Sequence, residues 1–485
     1  MSTTRKILKL LFLAGLFAAG VVFALLIASS ENLTGLVLIA GILGIAVGLC
    51  AVLFPEFGFY FSIGFSFLAF DLNRLVPVQF AFISLIDLLI LATFLGILLK
   101  KLISKQSFWL RCNHLIIYIY LVYAAYTFMQ ILNPNAVSTD VSISIVRKYF
   151  NLLLILYCAV QIFKDVVAIK RFFDIWLFFS FLCASYGCYQ AWFGYPGYEY
   201  NYIMSDSLLI GLYTMTTGEL RIFSSLSDPK NFGLLMAACA MISLVLLLQA
   251  KNSRLRKFVY VSYTLFFLLG MSYSGTRTAN FMLVMGMVLY IMMTIFRLRT
   301  VVFTSIAAMA FIVILYGPIY GNNTVNRIRS TFDFEKDESY NVRNNNRQRI
   351  QPYIYEHPMG GGLGTTGIDN LAENASHPLA GFPPDSGYLL TALEAGWLGL
   401  LIQMCVYFII LQQGVRAYFR VEGEGKVYLL AAIMPLFGFM IAQYAQVSIG
   451  QPPGLFLYYA AIAIIIVLRP QGKNQLTGVG AASAA

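Results

Sequence analysis

Residues 230–250 read KNFGLLMAACAMISLVLLLQA, a nearly continuous apolar run of the length that a bilayer-crossing helix needs. Thirteen more runs of this kind are spread along the 485 residues. Only 11% of the chain is charged, whereas a soluble domain carries about 25%. This composition excludes an ordinary water-soluble enzyme and a disordered chain. The sequence therefore predicts an all-α polytopic membrane protein, one integral membrane domain over 1–485 with 12–14 transmembrane helices.

The apolar runs differ in how clearly they indicate a span. The first is expected to be a retained span, because it is too long for the core of a signal peptide and has no clear A-x-A cleavage site. The two runs that flank Phe54-Pro55-Glu56 are the weakest, since they can form one hairpin or a re-entrant element. The fourteen candidates are 7–29, 33–54, 55–70, 79–100, 114–133, 145–163, 169–193, 230–250, 256–272, 277–297, 299–318, 387–413, 425–446 and 452–468.

The basic residues fall mostly in short clusters between these runs, which is an orientation signal rather than a nucleic-acid-binding face. With the N-terminus in the cytoplasm, 21 of the 33 Lys and Arg residues lie inside and 12 outside. This excess inside supports the frame, so both termini are expected to be cytoplasmic. The seven cysteines form no CxxC, and the three histidines form no HExxH, so neither a disulfide framework nor a metal site is expected.

Two extracytoplasmic loops are long in this frame, 194–229 and 319–386, and the second is expected to contain short helices. Eight basic residues lie in or beside these loops, and a ninth, Arg277, lies where a span meets another outside loop, all against the orientation rule. Binding of an anion at the outer membrane surface is the simplest reason for charge placed there. The nine are Arg221, Lys230, Arg277, Arg327, Arg329, Lys336, Arg343, Arg347 and Arg349.

The first loop ends in RIFSSLSDPKN, residues 221–231. Asp228-Pro229 is typical of a helix cap followed by a first helical residue. Arg221 and Lys230 would then lie near free N–H groups, which suits an anion. Capping with snorkelling of the long side chains is the alternative, but it does not explain Arg221.

A second motif, SYSGTRTAN at 272–280, is a very tight turn between two apolar runs. Arg277 stands at the start of a span, just inside the predicted bilayer. An ionisable residue there is costly and indicates function. The alternative is a turn arginine that snorkels to the headgroups.

The second loop carries RNNNRQR at 343–349 and HPMGGGLG at 357–364. Arg343 and Arg347 share a face if this segment is helical, and Pro352 is expected to weaken the helix beyond that point. Arg349 completes the basic group. The glycines allow positive φ and close approach of a backbone to a ligand, so a loop role is expected for Gly360, Gly362 and Gly364. The alternative is a solvated basic face that leads into a flexible loop.

Carboxylates and histidines near the last outer segment are the candidates for proton transfer. Asp385 is either the cap of the next helix or a general base that faces the outer side. Glu394 lies about two turns into the span, where a structural role is expected for it and an arginine is one candidate partner. The loop histidines His377 and His357 are each either a base, as histidine often is near neutral pH, or a plain solvated side chain.

Together these four motifs, in this order over roughly 215–400, resemble the O-antigen ligase and O-antigen polymerase superfamily. The last of them includes G-Y-L-x-x-x-x-E-x-G-x-x-G-L, from Gly387. The resemblance implies a GT-C-type membrane glycosyltransferase that needs no metal, cofactor or nucleotide sugar. It also implies that Arg221 and Arg277 bind a diphosphate. The family's ligases usually place a histidine where this chain has Asp385, with His377 eight residues earlier. This departure favours a polymerase.

The resemblance further implies a location in the bacterial inner membrane. It implies a donor glycan that is carried on a polyprenyl diphosphate and presented at the periplasmic face. The reaction would belong to the synthesis of surface polysaccharide such as O-antigen or exopolysaccharide. The acceptor is a further glycan for a polymerase. It is the lipid-A core for an O-antigen ligase of lipopolysaccharide synthesis, and a protein hydroxyl for a protein O-oligosaccharyltransferase. Membrane lipid and a chain-length regulator are the other expected partners, without nucleic acid. A transporter of lipid-linked glycans is the alternative outside enzymes, but transporters usually carry internal repeats, and this chain shows no second copy of its motifs.

Overall fold

The structure is a computed structural model that describes residues 32–75, 82–214, 218–250, 252–318, 329, 338–368 and 370–469. The predicted first span and two of the predicted anion-binding residues, Arg327 and Lys336, lie outside these ranges. The described helices are α1 (Asn32–Leu53), α2 (Pro55–Ser66), α3 (Ala69–Leu75), α4 (Phe82–Ile103), α5 (Leu115–Met129), α6 (Thr139–Ile162), α7 (Val166–Phe193), α8 (Gly197–Met204), α9 (Ser207–Tyr213), α10 (Pro229–Gln249), α11 (Arg254–Tyr273), α12 (Arg277–Thr294), α13 (Leu298–Tyr316), α14 (Glu338–Glu356), α15 (Gly387–Glu394), α16 (Gly396–Arg420), α17 (Glu424–Ala442) and α18 (Gly454–Val467).

Apolar helices of membrane-spanning length dominate this architecture. Within the described ranges, seven helices are long and apolar enough to cross a bilayer. They correspond to α4, α5 with the short 3₁₀ turn after it, α6, α10, α12, α16 and α17. The prediction of an all-α polytopic membrane protein is therefore confirmed.

The run at 55–70 is not a span of its own. Pro55 starts a new helix because proline cannot continue the previous one. The resulting α2 has only 12 residues, about 18 Å at 1.5 Å per residue, which is too short to cross a bilayer. Its Glu56 pairs with Lys164 at 3.0 Å and with Arg171 at 3.6 Å. These ion pairs tie the start of α2 to the segment between α6 and α7.

The centre of the bundle is formed by α10 and α17, which are apolar on all sides and bury most of their residues. Small residues let neighbouring helices approach closely. The Phe232 ring of α10 lies where a side chain at Gly187 of α7 or Gly270 of α11 would stand. We call the end of the bundle at which α10 begins the outer end and the opposite end the inner end.

The predicted span 387–413 is divided into two helices, α15 and α16. The break falls at Ala395 and Gly396, and Gly396 has a φ of +73°. A Cβ at Gly396 would overlap the carbonyl oxygen of Pro358, because the glycine-rich loop passes directly against the break. Only glycine meets both requirements.

Candidate functional site

The start of α10 is capped as the sequence predicts. Asp228 Oδ1 accepts hydrogen bonds from the backbone N–H groups of Lys230 (2.8 Å) and Asn231 (2.9 Å), and Pro229 is the first helical residue. This cap fixes the place at which the Lys230 side chain leaves the outer end of the helix. That side chain is exposed.

The tight turn at 272–276 is held against this helix start and against Arg221. Arg221 donates from Nε to the Ser274 carbonyl oxygen (3.2 Å) and from Nη2 to Thr276 Oγ1 (3.1 Å). The Thr276 hydroxyl in turn donates to the Pro229 carbonyl oxygen (3.0 Å). Arg277 follows Thr276 and begins α12. The two arginines that the family resemblance pairs are therefore anchored to one structural unit, although 56 positions separate them in the sequence.

Charged groups from four parts of the chain converge near Lys230. The charges that act on its ammonium group are those of Asp228, Arg221, Arg343 and Asp385. We call Arg221, Lys230, Arg343 and Asp385 the outer cluster. Three of its members are cationic and one is anionic, so the cluster presents a net positive charge at the outer end of the bundle.

The sequence leaves Asp385 as either a cap or a base, and the structure assigns the cap to Ser386. Ser386 Oγ accepts from the Leu389 N–H (3.4 Å) and donates to the Gln443 carbonyl oxygen (2.9 Å). The carboxylate of Asp385 therefore lies outside the cap. Its Oδ2 accepts from Asn346 Nδ2 at 3.4 Å, which connects it to α14.

The basic segment of the long loop is helical, which was the condition for Arg343 and Arg347 to share one face. Contrary to expectation, α14 continues through Pro352 and ends at Glu356. A proline costs a helix one N–H and crowds the turn before it, and here the remaining bonds are sufficient for one more turn. Arg343 belongs to the outer cluster. Arg347 instead donates to the Tyr444 carbonyl oxygen at 2.8 Å and lies 4.4 Å from the centre of that ring. Arg349 is exposed and is not brought into the cluster.

The glycine-rich loop is seated in the break between α15 and α16. The broken helix leaves backbone carbonyls without helical partners. The N–H groups of Gly361 and Gly362 donate to the carbonyl oxygens of Leu393 (2.8 Å) and Glu394 (3.0 Å). The glycines thus approach protein backbone at this contact. Positive φ angles are found, as expected, at Gly360, Gly362, Gly364 and Gly367.

Glu394 is buried beneath this loop and forms no ion pair with an arginine among the described residues. Its Oε1 accepts from Thr366 Oγ1 (2.5 Å) and from the Thr366 N–H (3.4 Å). Hydrogen bonds to the loop compensate the cost of burying the carboxylate. Glu394 therefore holds the loop in shape. Both ion pairs found among the described side chains involve a different carboxylate, that of Glu56.

His377 is 6% exposed and is surrounded by backbone. Its Nδ1 accepts from the Leu379 N–H at 3.0 Å, and the backbone of Asn135 and Gly361 bonds the ring as well. Burial lowers the pKa of His377 below its ordinary value. A neutral imidazole whose polar atoms bind backbone is suited to fixing the loop, so this environment favours a structural role over that of a base.

Arg74 is a contributor that the sequence reasoning did not single out. Its Nη2 donates to the carbonyl oxygens of Leu226 and Ser227, the latter at 2.9 Å, directly before the Asp228 cap. Its guanidinium also lies 4.4 Å from the centre of the Phe223 ring. Arg74 is one of the twelve basic residues on the outer side of the predicted frame, so the same argument from charge placed against the orientation rule could have found it.

Comparison with known proteins bears on the second half of the site. In the described part of the chain, no group of three or more His, Cys, Asp or Glu side chains could hold a metal ion. The family model of the O-antigen ligases matches residues 262–404. This match covers 143 of the 485 residues. The resemblance to the O-antigen ligase and polymerase superfamily is thereby confirmed. No curated protein matches the chain.

The matched stretch, residues 262–404, contains the turn with Arg277, the helix with Arg343, the glycine-rich loop and Asp385. Arg221 and Lys230 precede it and join it through the contacts of the turn with the start of α10. The outer cluster is therefore completed by residues from outside the matched stretch. The match thus supports a membrane enzyme of the O-antigen ligase or polymerase type, and members of that family act on lipid-linked glycans and acceptors.

Proposed function

We propose that this enzyme is a metal-independent glycosyltransferase that polymerises glycan from a polyprenyl-diphosphate-linked donor at the periplasmic face of the bacterial inner membrane. The convergence of Arg221, Lys230 and Arg343 with Asp385 at the outer end of the bundle carries this proposal. The proposed orientation has both termini in the cytoplasm.

The cations of the outer cluster suit the leaving group of this reaction. Breaking the bond between a sugar and a diphosphate places negative charge on the departing lipid diphosphate. Fixed guanidinium and ammonium groups stabilise such charge without reorganising, and guanidinium binds phosphate oxygens in a bidentate manner. By analogy with single electrostatic donors in other enzymes, each clamp contributes about 2.7–4 kcal/mol to lowering the barrier. In this proposal Arg221, Arg277, Lys230 and Arg343 hold the diphosphate.

Asp385 suits the acceptor side of the same reaction. A carboxylate outside the helix cap can accept the proton of an acceptor hydroxyl as the hydroxyl attacks the sugar carbon. In the proposed step the new glycosidic bond forms as the bond from sugar to phosphate breaks. The proton moves to Asp385, and the electron pair leaves with the lipid diphosphate. The buried environment of His377 supports Asp385 as the base of the two candidates.

Ligation is the second candidate, because the matching family model is that of the O-antigen ligases. A ligase would use the same donor but transfer a finished chain to the lipid-A core or to a protein hydroxyl. The aspartate in the position where ligases usually carry histidine favours polymerisation.

The decisive experiment uses the purified full-length protein in liposomes with a lipid-linked glycan repeat as the only donor. Products are separated on a ladder gel, and movement of the lipid between leaflets is followed in parallel. A ladder of regularly longer lipid-linked chains supports the polymerase. Transfer only to added lipid-A core or protein indicates the ligase or oligosaccharyltransferase, and lipid movement without coupling indicates a transporter and refutes the enzyme.

Arg277→Lys provides an internal check of the diphosphate clamp. Lysine keeps the charge but loses the bidentate fork. We expect most of the coupling activity to be lost while the protein remains present in the membrane at its normal level. Unchanged glycan products in this variant would count against a clamp at Arg277.

A further inference from the structure

A second polar site lies at the inner end of the bundle. A cavity of about 350 Å³ is enclosed there by the ends of helices, including α7, α10, α11, α16 and α17. Gln249 at the end of α10 lines it, whereas Lys230 of the outer cluster stands 19 residues earlier on the same helix. At 1.5 Å per residue this separation is about 28 Å, so the two sites are distinct.

The cavity is rich in positive charge. Lys170, Arg256, Arg297 and Lys426 line it, together with one carboxylate, Glu424. None of these four cations forms an ion pair with a carboxylate of the described residues within 4.0 Å. The carboxylate of Asp174 on α7 also acts on two of them, Arg256 and Lys170. Four cations therefore face two anions.

Two of the cations, Arg297 and Lys426, are held by neutral partners. Arg297 donates from Nη1 to Gln249 Oε1, and Lys426 Nζ lies 4.7 Å from the centre of the Tyr418 ring. These contacts fix the side chains without neutralising them. Positioned cations with excess charge suit a phosphate group, for which guanidinium supplies paired donors.

Exposed apolar side chains flank several of the lining residues along the chain, and we call them the apolar rim. The direct sequence neighbours of the lining residues include Phe296, which is fully exposed, and Leu298, Leu255 and Phe419, which are 63–78% exposed. Large apolar side chains beside cations are suited to a ligand that carries acyl chains next to its phosphate. Basic pockets between transmembrane helices on the cytoplasmic side bind lipid head groups in this way.

We propose that the inner-end cavity binds the phosphate of an anionic phospholipid head group, with Arg256, Arg297, Lys170 and Lys426 around the phosphate and the acyl chains against the apolar rim. The site is separate from the proposed glycan chemistry and does not depend on it. A free phosphate ion shares the chemistry of the head group but has no acyl chains that could contact the apolar rim.

Binding is measured by native mass spectrometry on the full-length protein in detergent, titrated with phosphatidylglycerol, with phosphatidylcholine or with inorganic phosphate. The test variant is R256Q/K426Q. The matched control is K100Q/K105Q, which removes two exposed charges outside the cavity. Each lost charge is expected to weaken phosphatidylglycerol binding about fivefold, which gives about 25-fold for the test variant, and the control is expected to stay within twofold.

The expected result also has phosphatidylcholine binding weakly and inorganic phosphate failing to displace phosphatidylglycerol. Equal binding of phosphatidylglycerol to the two double variants would overturn the proposal. Displacement by inorganic phosphate would overturn the assignment to lipid and leave a site for the free ion. If R256Q/K426Q unfolds during purification, the single variants R256Q and K426Q are each compared with the control K100Q. We expect a fivefold loss for R256Q and for K426Q and none for K100Q.

Discussion

Two neighbouring residues, Asp385 and Ser386, allow chemistry and stability to be separated by single substitutions. Ser386 caps α15 and bonds the Gln443 carbonyl oxygen. Asp385 takes no part in that cap and contacts Asn346 of α14 at 3.4 Å. Asp385→Asn should therefore change the reaction and leave the fold alone, whereas Ser386→Ala should do the reverse.

For Asp385→Asn we expect the free energy of unfolding to change by less than about 0.5 kcal/mol, because no capping contact is lost. The loss of a general base should lower kcat by a factor of about 10²–10⁴. KM for the donor should not rise. The substitution removes the only anion of the outer cluster, and an anionic donor is then attracted at least as strongly.

For Ser386→Ala the cap contributes about 1 kcal/mol and the hydrogen bond to Gln443 about as much. The variant should therefore lose about 2 kcal/mol of stability. Its kcat should stay within about threefold of the unmodified enzyme below its melting temperature, because Asp385 keeps its charge and its contact with α14. Melting in detergent is followed by intrinsic fluorescence, and kcat and KM by conversion of a lipid-linked repeat in liposomes.

One pattern would refute this reasoning. If Asp385→Asn keeps kcat within threefold while its melting temperature falls as far as that of Ser386→Ala, then Asp385 is structural and the base lies elsewhere. Loss of activity in both variants in proportion to their melting temperatures would have the same meaning.

Three further predictions rest on other parts of the structure. Lys230→Met should lower kcat/KM for the donor about 10²–10³-fold with an unchanged melting temperature, measured in the same liposome assay, whereas Lys230→Arg should retain most activity. Burial, and then the charge of Asp71, raise the pKa of Glu199 from 4.5 to about 7. The stability that Glu199 contributes is therefore complete below about pH 4.5 and is lost as the pH rises through about 7. Between pH 4.5 and pH 8 the melting temperature of Glu199→Gln should therefore fall less than that of the unmodified protein. Gly396→Ala should destabilise the protein by clearly more than Gly423→Ala in thermal melts; both glycines have φ near +70°, but only a Cβ at Gly396 would meet backbone.

The fold class could be predicted from the sequence because membrane-spanning helices leave a strong local signal. Apolar runs of about 20 residues need no knowledge of their neighbours. The cap at Asp228 was equally predictable, since the residue and the helix that it caps are adjacent.

The features that the sequence did not predict depend on distant contacts. Asp385 and Ser386 are both good caps, and the bond from Ser386 to Gln443, 57 positions later, accompanies the choice of Ser386. The break at Gly396 depends on a loop that approaches from more than 30 residues earlier, at Gly361 and Gly362. Local propensity contains neither contact.

The glycine-rich loop explains how so many separate segments can form one site. Asn133 and Asn135 donate to the Gly360 carbonyl oxygen at 3.3 Å and 2.9 Å, while Gly361 and Gly362 donate to the broken helix. The loop is therefore bonded on two sides, to the end of α5 and to α15. It directly follows α14, which carries Arg343, and α15 directly follows Asp385. A rigid loop between them fixes the cation and the carboxylate relative to each other before substrate arrives, and electrostatic stabilisation of a leaving group depends on this preorganisation. The glycines serve the proposed chemistry by allowing backbone to meet backbone, and contact with the substrate is not required of them.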